Sequence, residues 1–424
     1  MLTPFRRRSV LGLARLLLAP FLVIPLAGSS ETASAAGPAG FARVEGRQIL
    51  GPDGAPLVLR GIGLGNWLVP EGYMFRLEKG PQSPRQIEEL VRELVGPEQA
   101  LAFWRDYRAA WIAREDLQYL RRIGLNSIRV PFNYRLLTPE DQPGVWLEEG
   151  FALLDRVIEW SREEGLLVVL DMHCAPGGQT GSNIDDSWGH PWLFEDATAQ
   201  ERTIAVWRRL AERYRDERAV LGYDLLNEPI PHWPGLERYD TALEPLYKRI
   251  VAAIREVDAN HVIFLGGARW NTNFSMLGSP FAPNLAYTFH KYWNETNDAS
   301  LQPYLEFRDR HGVPMWLGES GENTDDWVAA CVKLVESHGI GWAFWPYKKM
   351  DATSSIVSVA RPPYWDEVVA YAAKRTVDFE ANYKIRPPLE HSRAALRGLV
   401  ENARFRNTRV NPGYVRALGM QPQQ

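Results

Sequence analysis

Eight short apolar runs, each followed by a Gly-, Pro- or Asn-rich stretch and then by an amphipathic segment, set the strongest limit on how this chain can fold. The runs are Leu57–Leu68, Asn126–Phe132, Leu166–Met172, Val220–Leu226, Val262–Leu265, Leu285–Phe289, Val313–Leu317 and Gly339–Phe344. Several are apolar without interruption, as in Leu166-Leu167-Val168-Val169-Leu170, the pattern of a strand buried on both faces. Helical periodicity over Trp104–Arg122, Phe151–Glu164, Ala199–Arg215, Tyr239–Val257, Leu301–His311 and Asp325–Ser337 fills the intervals. Strand alternating with helix predicts a parallel α/β architecture. Eight units predict a single (β/α)8 TIM barrel, with a doubly wound open sheet as the alternative. Gly61-Ile62-Gly63-Leu64-Gly65 lacks the spacing of a dinucleotide loop, so no nucleotide cofactor is expected.

Composition narrows the class further. The chain has 424 residues, 11% of them aromatic and 24% charged, which excludes a disordered or fibrous protein. Its net charge is −4, and nucleic acid, which needs clustered basic charge, is not an expected partner. Residues 1–35 read as a signal peptide: Arg6-Arg7-Arg8, an apolar stretch from Leu16 to Ala27, and Ala33-Ser34-Ala35 as a cleavage site. Arg7-Arg8-Ser9-Val10-Leu11 resembles a twin-arginine signal. The expected protein is therefore exported, periplasmic or extracellular in a bacterium, off the membrane after cleavage, and monomeric. With only Cys174 and Cys331, neither a disulfide scaffold nor a Cys-x-x-Cys metal knuckle is expected; two buried unpaired thiols are. Residues 36–375 form the predicted barrel. Residues 376–424, basic and Pro-punctuated with one helical pattern over Glu390–Arg404, are read as an extension packing on it.

In such a barrel the C-terminal ends of the strands face the site, and their interiors pack. The residues ending the runs are Asn66 and Trp67, then Arg129, Asp171 and His173, Asn227 and Glu228, His290 and Tyr292, Glu319, and Trp345. Glu228 and Glu319 each follow an apolar strand directly, where a charge is costly unless paired or functional. Singly, either serves equally well as a cap or an ion-pair partner. Together, on strands four and seven across the ring, they suit a pair of carboxylates cleaving glycosidic bonds, and a separation of about 5 Å is the retaining geometry.

The segments Ile128-Arg129-Val130-Pro131, Asp171-Met172-His173, Asn227-Glu228-Pro229, His290-Lys291-Tyr292, Gly318-Glu319-Ser320 and Phe344-Trp345 resemble, in order, the signature of glycoside hydrolase family 5, over about residues 41–375. The resemblance implies Glu319 as nucleophile and Glu228 as general acid and base. Arg129 and the Tyr292 hydroxyl would keep Glu319 ionised, and the charge on Glu319 would raise the Glu228 pKa. Asn227 would bind the sugar 2-hydroxyl, His290 would sit beside Glu228, His173 would hold the network, and Trp345 would offer the sugar a platform. Trp67, Trp188, Trp192, Trp233, Trp270 and Trp293 are candidates to extend that platform. No metal is implied: among His173, His190 and Asp185-Asp186 no two ligands share a helix face.

Arg60 to Glu71 is similar to the opening of the exo-β-1,3-glucanase branch of the family, with Glu71 a sugar ligand, and Ala175-Pro176-Gly177-Gly178-Gln179-Thr180-Gly181 resembles that branch's third loop. Asn66 and Cys174 stand where that branch has Gly. The expected activity is a retaining β-glycosidase on β-glucans or β-glucosides. Transglycosylation on the same intermediate, an endo-β-1,4-glucanase or mannanase, a glycolipid glucosidase and a non-catalytic carbohydrate-binding barrel are the alternatives.

Overall fold

The structure is a computed structural model describing residues 40–423; the signal-peptide reading of residues 1–35 lies outside them. The eight runs form strands β1 (Arg60–Gly63), β2 (Ser127–Asn133), β3 (Leu167–Cys174), β4 (Val220–Asp224), β5 (Val262–Gly266), β6 (Leu285–Lys291), β7 (Met315–Gly321) and β8 (Gly341–Trp345). They lie in chain order, all parallel, and β8 closes the ring against β1. Closure leaves this sheet no edge and excludes the doubly wound alternative.

Leu59, Val169, Phe264, Ala286, Trp316 and Ala343 fill the lower barrel, and Ala42 and Ile49 join the same cluster from a hairpin, Arg43–Glu45 paired with Gln48–Leu50. Every one of these side chains is at least nine-tenths buried. The first run is longer than its strand because the chain leaves the barrel after Gly63. Asn66 takes a left-handed conformation, φ 63°, and Trp67 turns under the helix Pro97–Trp111, its indole N–H donating to Arg108 O at 2.8 Å.

Helical periodicity over Trp104–Arg122 predicts one helix, yet there are two, Pro97–Trp111 and Arg114–Ile123. The break comes where Ile112 is extended and the Asp116 carboxylate accepts from Ala113 N at 2.7 Å, a side-chain bond that starts a new helix. A further helix, Pro84–Val95, is opened by Ser83 and Gln86 in a capping box.

At β7 the register slips by one residue against both neighbours: Phe289 pairs with Leu317 but His290 with Glu319, and Trp342 pairs with Leu317 but Phe344 with Ser320. Gly318 is the extra residue. A Cβ there would lie 2.0 Å from Thr288 Oγ1, so only glycine fits. Bulges of this kind re-aim a side chain, here Glu319.

Within residues 376–423, helices Phe379–Ile385, Leu389–Ala403 and Pro412–Ala417 alternate with a short strand, Arg409–Val410, that pairs with Val357–Val359 beyond β8. Lys348, wholly buried, fastens this segment. Its ammonium pairs with Asp116 at 2.6 Å and donates to Trp111 O and to Ala403 O, at 2.6 and 2.9 Å. Burial lowers the pKa of Lys348 and raises that of Asp116; each group is the other's compensation. Among the described residues no helix is long and apolar enough to cross a membrane, and Cys174 and Cys331 are both free and buried. Replacing Lys348 with Met leaves Asp116 buried without a counter-ion. We expect a loss of about 3–5 kcal/mol, read by urea denaturation.

Candidate active site

At the C-terminal mouth of the barrel lies a cavity of about 600 Å³. Of the ten site residues expected from sequence, Glu71, His173, Asn227, Glu228, His290, Tyr292, Glu319 and Trp345 line it. Arg129 lies directly beneath, bonded to Glu319. Trp67 does not belong: it is 2% exposed and packs in the core, because the left-handed turn at Asn66 carries it away from the mouth. Of the further tryptophans, Trp270 and Trp293 line the cavity, Trp233 meets Trp270 edge to face at 5.9 Å, and Trp188 lies under Arg85 away from it.

Arg129, on β2 and wholly buried, organises the floor. Its Nη1 donates to Glu319 Oε2 at 2.7 Å, Nη2 to Asn227 Oδ1 at 2.8 Å, and Nε to Asp224 Oδ2 at 3.0 Å. Nη2 also lies 3.1 Å from Asp171 Oδ2. Burial alone would lower the guanidinium pKa, but Asp171, Asp224 and Glu319 outweigh it and hold the pKa above its ordinary value. One cation thus faces three carboxylates. Burial pushes the carboxyls of Asp171 and Asp224 up to about 7. These two residues are register partners across β3 and β4, and the Oδ1 of each is buried without a protein partner. Burial favours the protonated form of each carboxyl, which brings the cluster closer to neutrality.

The second oxygen of Glu319 accepts from the Tyr292 hydroxyl at 2.8 Å. Glu228 faces it across the mouth, with an oxygen of each lying within 4.8 Å of the other. Glu228 Oε1 is 2.8 Å from His290 Nδ1. Burial pushes its pKa up to about 7; apolar surroundings, rather than the charge on Glu319, are the leading cause. Burial also lowers His290 to about 3 and His173 to about 4, so both imidazoles are neutral. His173 receives the Asn227 amide N–H at Nε2, 3.2 Å away, and its Nδ1 reaches Asp171 at 2.8 Å. That fixes the neutral tautomer with its proton on Nδ1 and orients Asn227 between Arg129 and His173.

Among the described residues, Glu228, His290 and Glu319 are also a set of acidic and imidazole groups close enough to hold a cation. His290 Nδ1 and one Glu228 oxygen are paired with each other, both Glu319 oxygens are paired with Arg129 and Tyr292, and His290 Nε2 is buried without a partner.

Trp345 stacks on His173 at 5.6 Å with 5° between the planes, and its indole donates to the Tyr73 hydroxyl at 3.0 Å. Gly63 and Gly65 form the surface behind it: a Cβ on either would lie 2.5 or 2.7 Å from the ring. The glycines that lack a nucleotide-loop spacing therefore make room for an aromatic platform. Beside it, Glu71 is buried with Oε1 unpartnered. Burial first, then Glu319 and Glu322, raise its pKa well above the carboxylate range. Glu322 pairs with Lys349, which lies 4.4 Å above the Tyr73 ring.

Several contributors have no role that sequence reading assigns. Gln179, fully buried in the loop after β3, donates to His173 O and Asn227 O at 2.8 and 2.9 Å. Ile230 N in turn donates to Gln179 O. Glu228 and Ile230 have φ of 44° and 55°, and Arg269, Trp270 and Asn271 form a left-handed run with φ of 57°, 60° and 56°. Left-handed backbone costs a non-glycine residue roughly 1–2 kcal/mol, and such outliers gather at functional sites. Arg269 N anchors that run to Ile230 O at 2.5 Å.

Two carboxylates this close, one donated to by a cation and a phenol and the other raised by burial, define a retaining β-glycoside hydrolase. The family model for cellulase, glycosyl hydrolase family 5, matches residues 96–351, more than half the chain. The chain belongs to that family. A β-xylosidase from Phanerodontia chrysosporium is 31% identical over 373 residues, 79% of this chain and 76% of that one. The probable glucan 1,3-beta-glucosidase A of Aspergillus fumigatus is 29% identical over 297 residues, 67% of this chain and 68% of that one. The crystal structure of an endogalactoceramidase shares the fold, with a TM-score of 0.58 at 18% identity over 89% of this chain and 84% of that one.

The charge cluster around Arg129 makes a prediction. Asp224→Asn keeps the shape and removes a carboxyl whose ionisation burial already opposes, so it is expected to cost no more than about 1 kcal/mol near neutral pH. Arg129→Met strands the carboxylates and is expected to cost about 3–5 kcal/mol. Because the folded-state pKa values of Asp171 and Asp224 exceed the ordinary carboxyl value, the folded state holds more protons than the unfolded one between pH 4 and 7. Their contribution to stability falls as pH rises through that window, and urea titrations should show the fall reduced in Asp224→Asn.

Proposed function

We propose that the enzyme removes β-linked glucosyl units from the non-reducing ends of β-glucans or β-glucosides by double displacement, with Glu319 as nucleophile and Glu228 as acid and base. The observation that carries this reading is the carboxylate pair within 4.8 Å, each member with a different set of partners. Glu319 attacks the anomeric carbon while Glu228 gives its proton to the departing glycosidic oxygen. Water, deprotonated by the same Glu228, then hydrolyses the glycosyl ester. Arg129 and Tyr292 aim Glu319, and His290 orients Glu228. Asn227, held by Arg129 and His173, directs an amide N–H at the sugar 2-hydroxyl. Trp345 takes the apolar face of the ring.

Cleavage from the chain end is supported by the residues opposite Glu228. Glu71, Tyr73 and Glu322 bound the cavity there, and the unpartnered Glu71 oxygen suits a terminal hydroxyl. The relative named as a glucan 1,3-beta-glucosidase and the motif from Arg60 to Glu71 support glucose as the sugar and β-1,3 as the linkage. Residues 1–35 act as an export signal, and the mature chain works outside the cytoplasm as a monomer. A mature N-terminus near residue 36 by mass spectrometry of the secreted protein is the expected result.

Incubation with matched β-1,3-gluco-, β-1,4-gluco- and β-1,4-manno-oligosaccharides should release glucose stepwise from the β-1,3 series, with the β-anomer appearing first by NMR. Internal cuts or an α-anomer would overturn the reading. Glu319→Ala should abolish turnover with the fold retained, and Glu228→Gln should slow it about 10²–10⁴-fold on poor leaving groups. Since the acid must be protonated and its pKa lies near 7, kcat/KM should fall as pH rises through about 7. That limb should vanish in Glu228→Gln.

A further inference from the structure

Acidic groups outnumber cations around the cavity, although burial raises the pKa of Glu71 and Glu228. Four carboxylates line it, those of Glu71, Glu228, Glu319 and Glu322, together with one permanent cation among the described residues, Arg269. Arg129 lies below the floor with its donors engaged, and Lys349 is paired with Glu322. Arg269 is different. Its guanidinium has a single contact among the described residues, Nη2 to Asp240 Oδ2 at 3.4 Å, beyond the ordinary hydrogen-bond range. Its side chain is 44% exposed. The other nearby acid, Glu237, accepts from Gly235 N at 2.7 Å. Most of the five donors on Arg269 therefore point at nothing the protein supplies.

The position of Arg269 decides what could meet it. Glu228 belongs to the segment after β4, and Arg269 and Trp270 to the segment after β5, with Arg269 N bonded to Ile230 O. They stand on the acid's side of the mouth, away from Glu71, Tyr73 and Trp345. The group leaving when Glu228 donates its proton must depart across that side. Trp270 offers a ring face there, with His232 at 6.3 Å and Trp233 at 5.9 Å standing edge-on to it. The left-handed run that presents Arg269 and Trp270 together is maintained against the preference of L-residues.

We propose that Arg269, with Trp270 and His232, forms the leaving-group subsite and that it selects an aglycone whose ring carries a carboxylate. A planar guanidinium with free donors matches a carboxylate two bonds at a time, and an indole takes the flat or axial C–H face of the ring that bears it. The inference rests on the reading of Glu228 as the acid; it adds the chemistry of the group that departs. A uronic acid residue and a carboxylated phenol present the same group.

The test compares 4-carboxyphenyl β-D-glucoside with its methyl ester as the ratio of kcat/KM values, wild type against Arg269→Met. Taking the ratio between proteins cancels the difference in leaving-group reactivity. The ratio should fall about tenfold in Arg269→Met, in line with a charge-assisted bond at a partly exposed site. It should rise in Asp240→Asn, which removes the competing anion. Unchanged ratios in both variants would overturn the proposal. If wild type turns over neither glucoside, the glucosidase reading has failed; calorimetric binding of both compounds to Glu228→Gln, with and without Arg269→Met, then decides the subsite, and equal affinities or no binding overturn it. A glucosyl-β-1,3-glucuronic acid and glucosyl-β-1,3-glucose pair separates the sources: a preference here assigns an acidic glycan, a preference confined to the aryl pair assigns a phenolic acid glycoside, and none in either overturns the subsite.

Discussion

The contact of Arg129 with Asp171, Asp224 and Glu319 is the interaction on which the rest of this site depends. A wholly buried guanidinium is tolerable only when its charge and donors are met. Here strands β3, β4 and β7 each supply a carboxylate that meets them, so the same contacts that neutralise Arg129 lock those three strand ends to β2 in one geometry. Because three acids surround one buried cation, burial raises the pKa of Asp171 and Asp224 and so lessens the excess negative charge. The carboxylate of Glu319 is left with one oxygen on Arg129 and the other on Tyr292, aimed upward into the cavity.

Around this centre the backbone does as much positioning as the side chains. The Gly318 bulge turns Glu319 inward, Gly63 and Gly65 clear room for Trp345, and Gln179 ties the loop after β3 to the carbonyls of His173 and Asn227. Left-handed conformations at Glu228, Ile230 and Arg269 to Asn271 place polar groups where a regular strand end could not. Their cost is spread through a barrel whose closed sheet and apolar filling leave little room to relax. The result is a mouth with a carboxylate-rich, Trp-floored side and a cationic, Trp-walled side, separated by the two central carboxylates.

Much of this was legible from residue order. Period and turn residues gave eight strand–helix units because burial on both faces leaves an uninterrupted apolar run, and residues such as Arg129, Glu228 and Glu319 stood out because a charge directly after such a run needs a partner or a purpose. The failures have identifiable causes. Trp67 looked like a site residue because it ends an apolar run, but the left-handed turn at Asn66 is invisible in one dimension. Asp224 went unnoticed because an acid two residues past a glycine in a strand carries no local signal, and Gln179, though part of a loop motif, had no role that the motif could assign; their meaning lies in contacts 95 and 48 residues away in the chain. The two-helix break at Ile112 depended on a single Asp116 bond that periodicity does not register.

The sequence by itself determined the barrel, the order of its strands and the identities of the groups at its mouth, since those follow from hydrophobic periodicity and from the scarcity of buried charge. Tertiary structure decided the distances and the protonation states. The neutrality of His173 and His290 and the raised pKa of Glu228 come from desolvation by neighbours remote in the chain. The division of the mouth into a side with Glu71, Tyr73 and Trp345 and a side with Arg269 and Trp270 comes from loops whose shapes are set by bulges and left-handed turns. Both are properties of packing in three dimensions, and neither is a function of residue order along the strand.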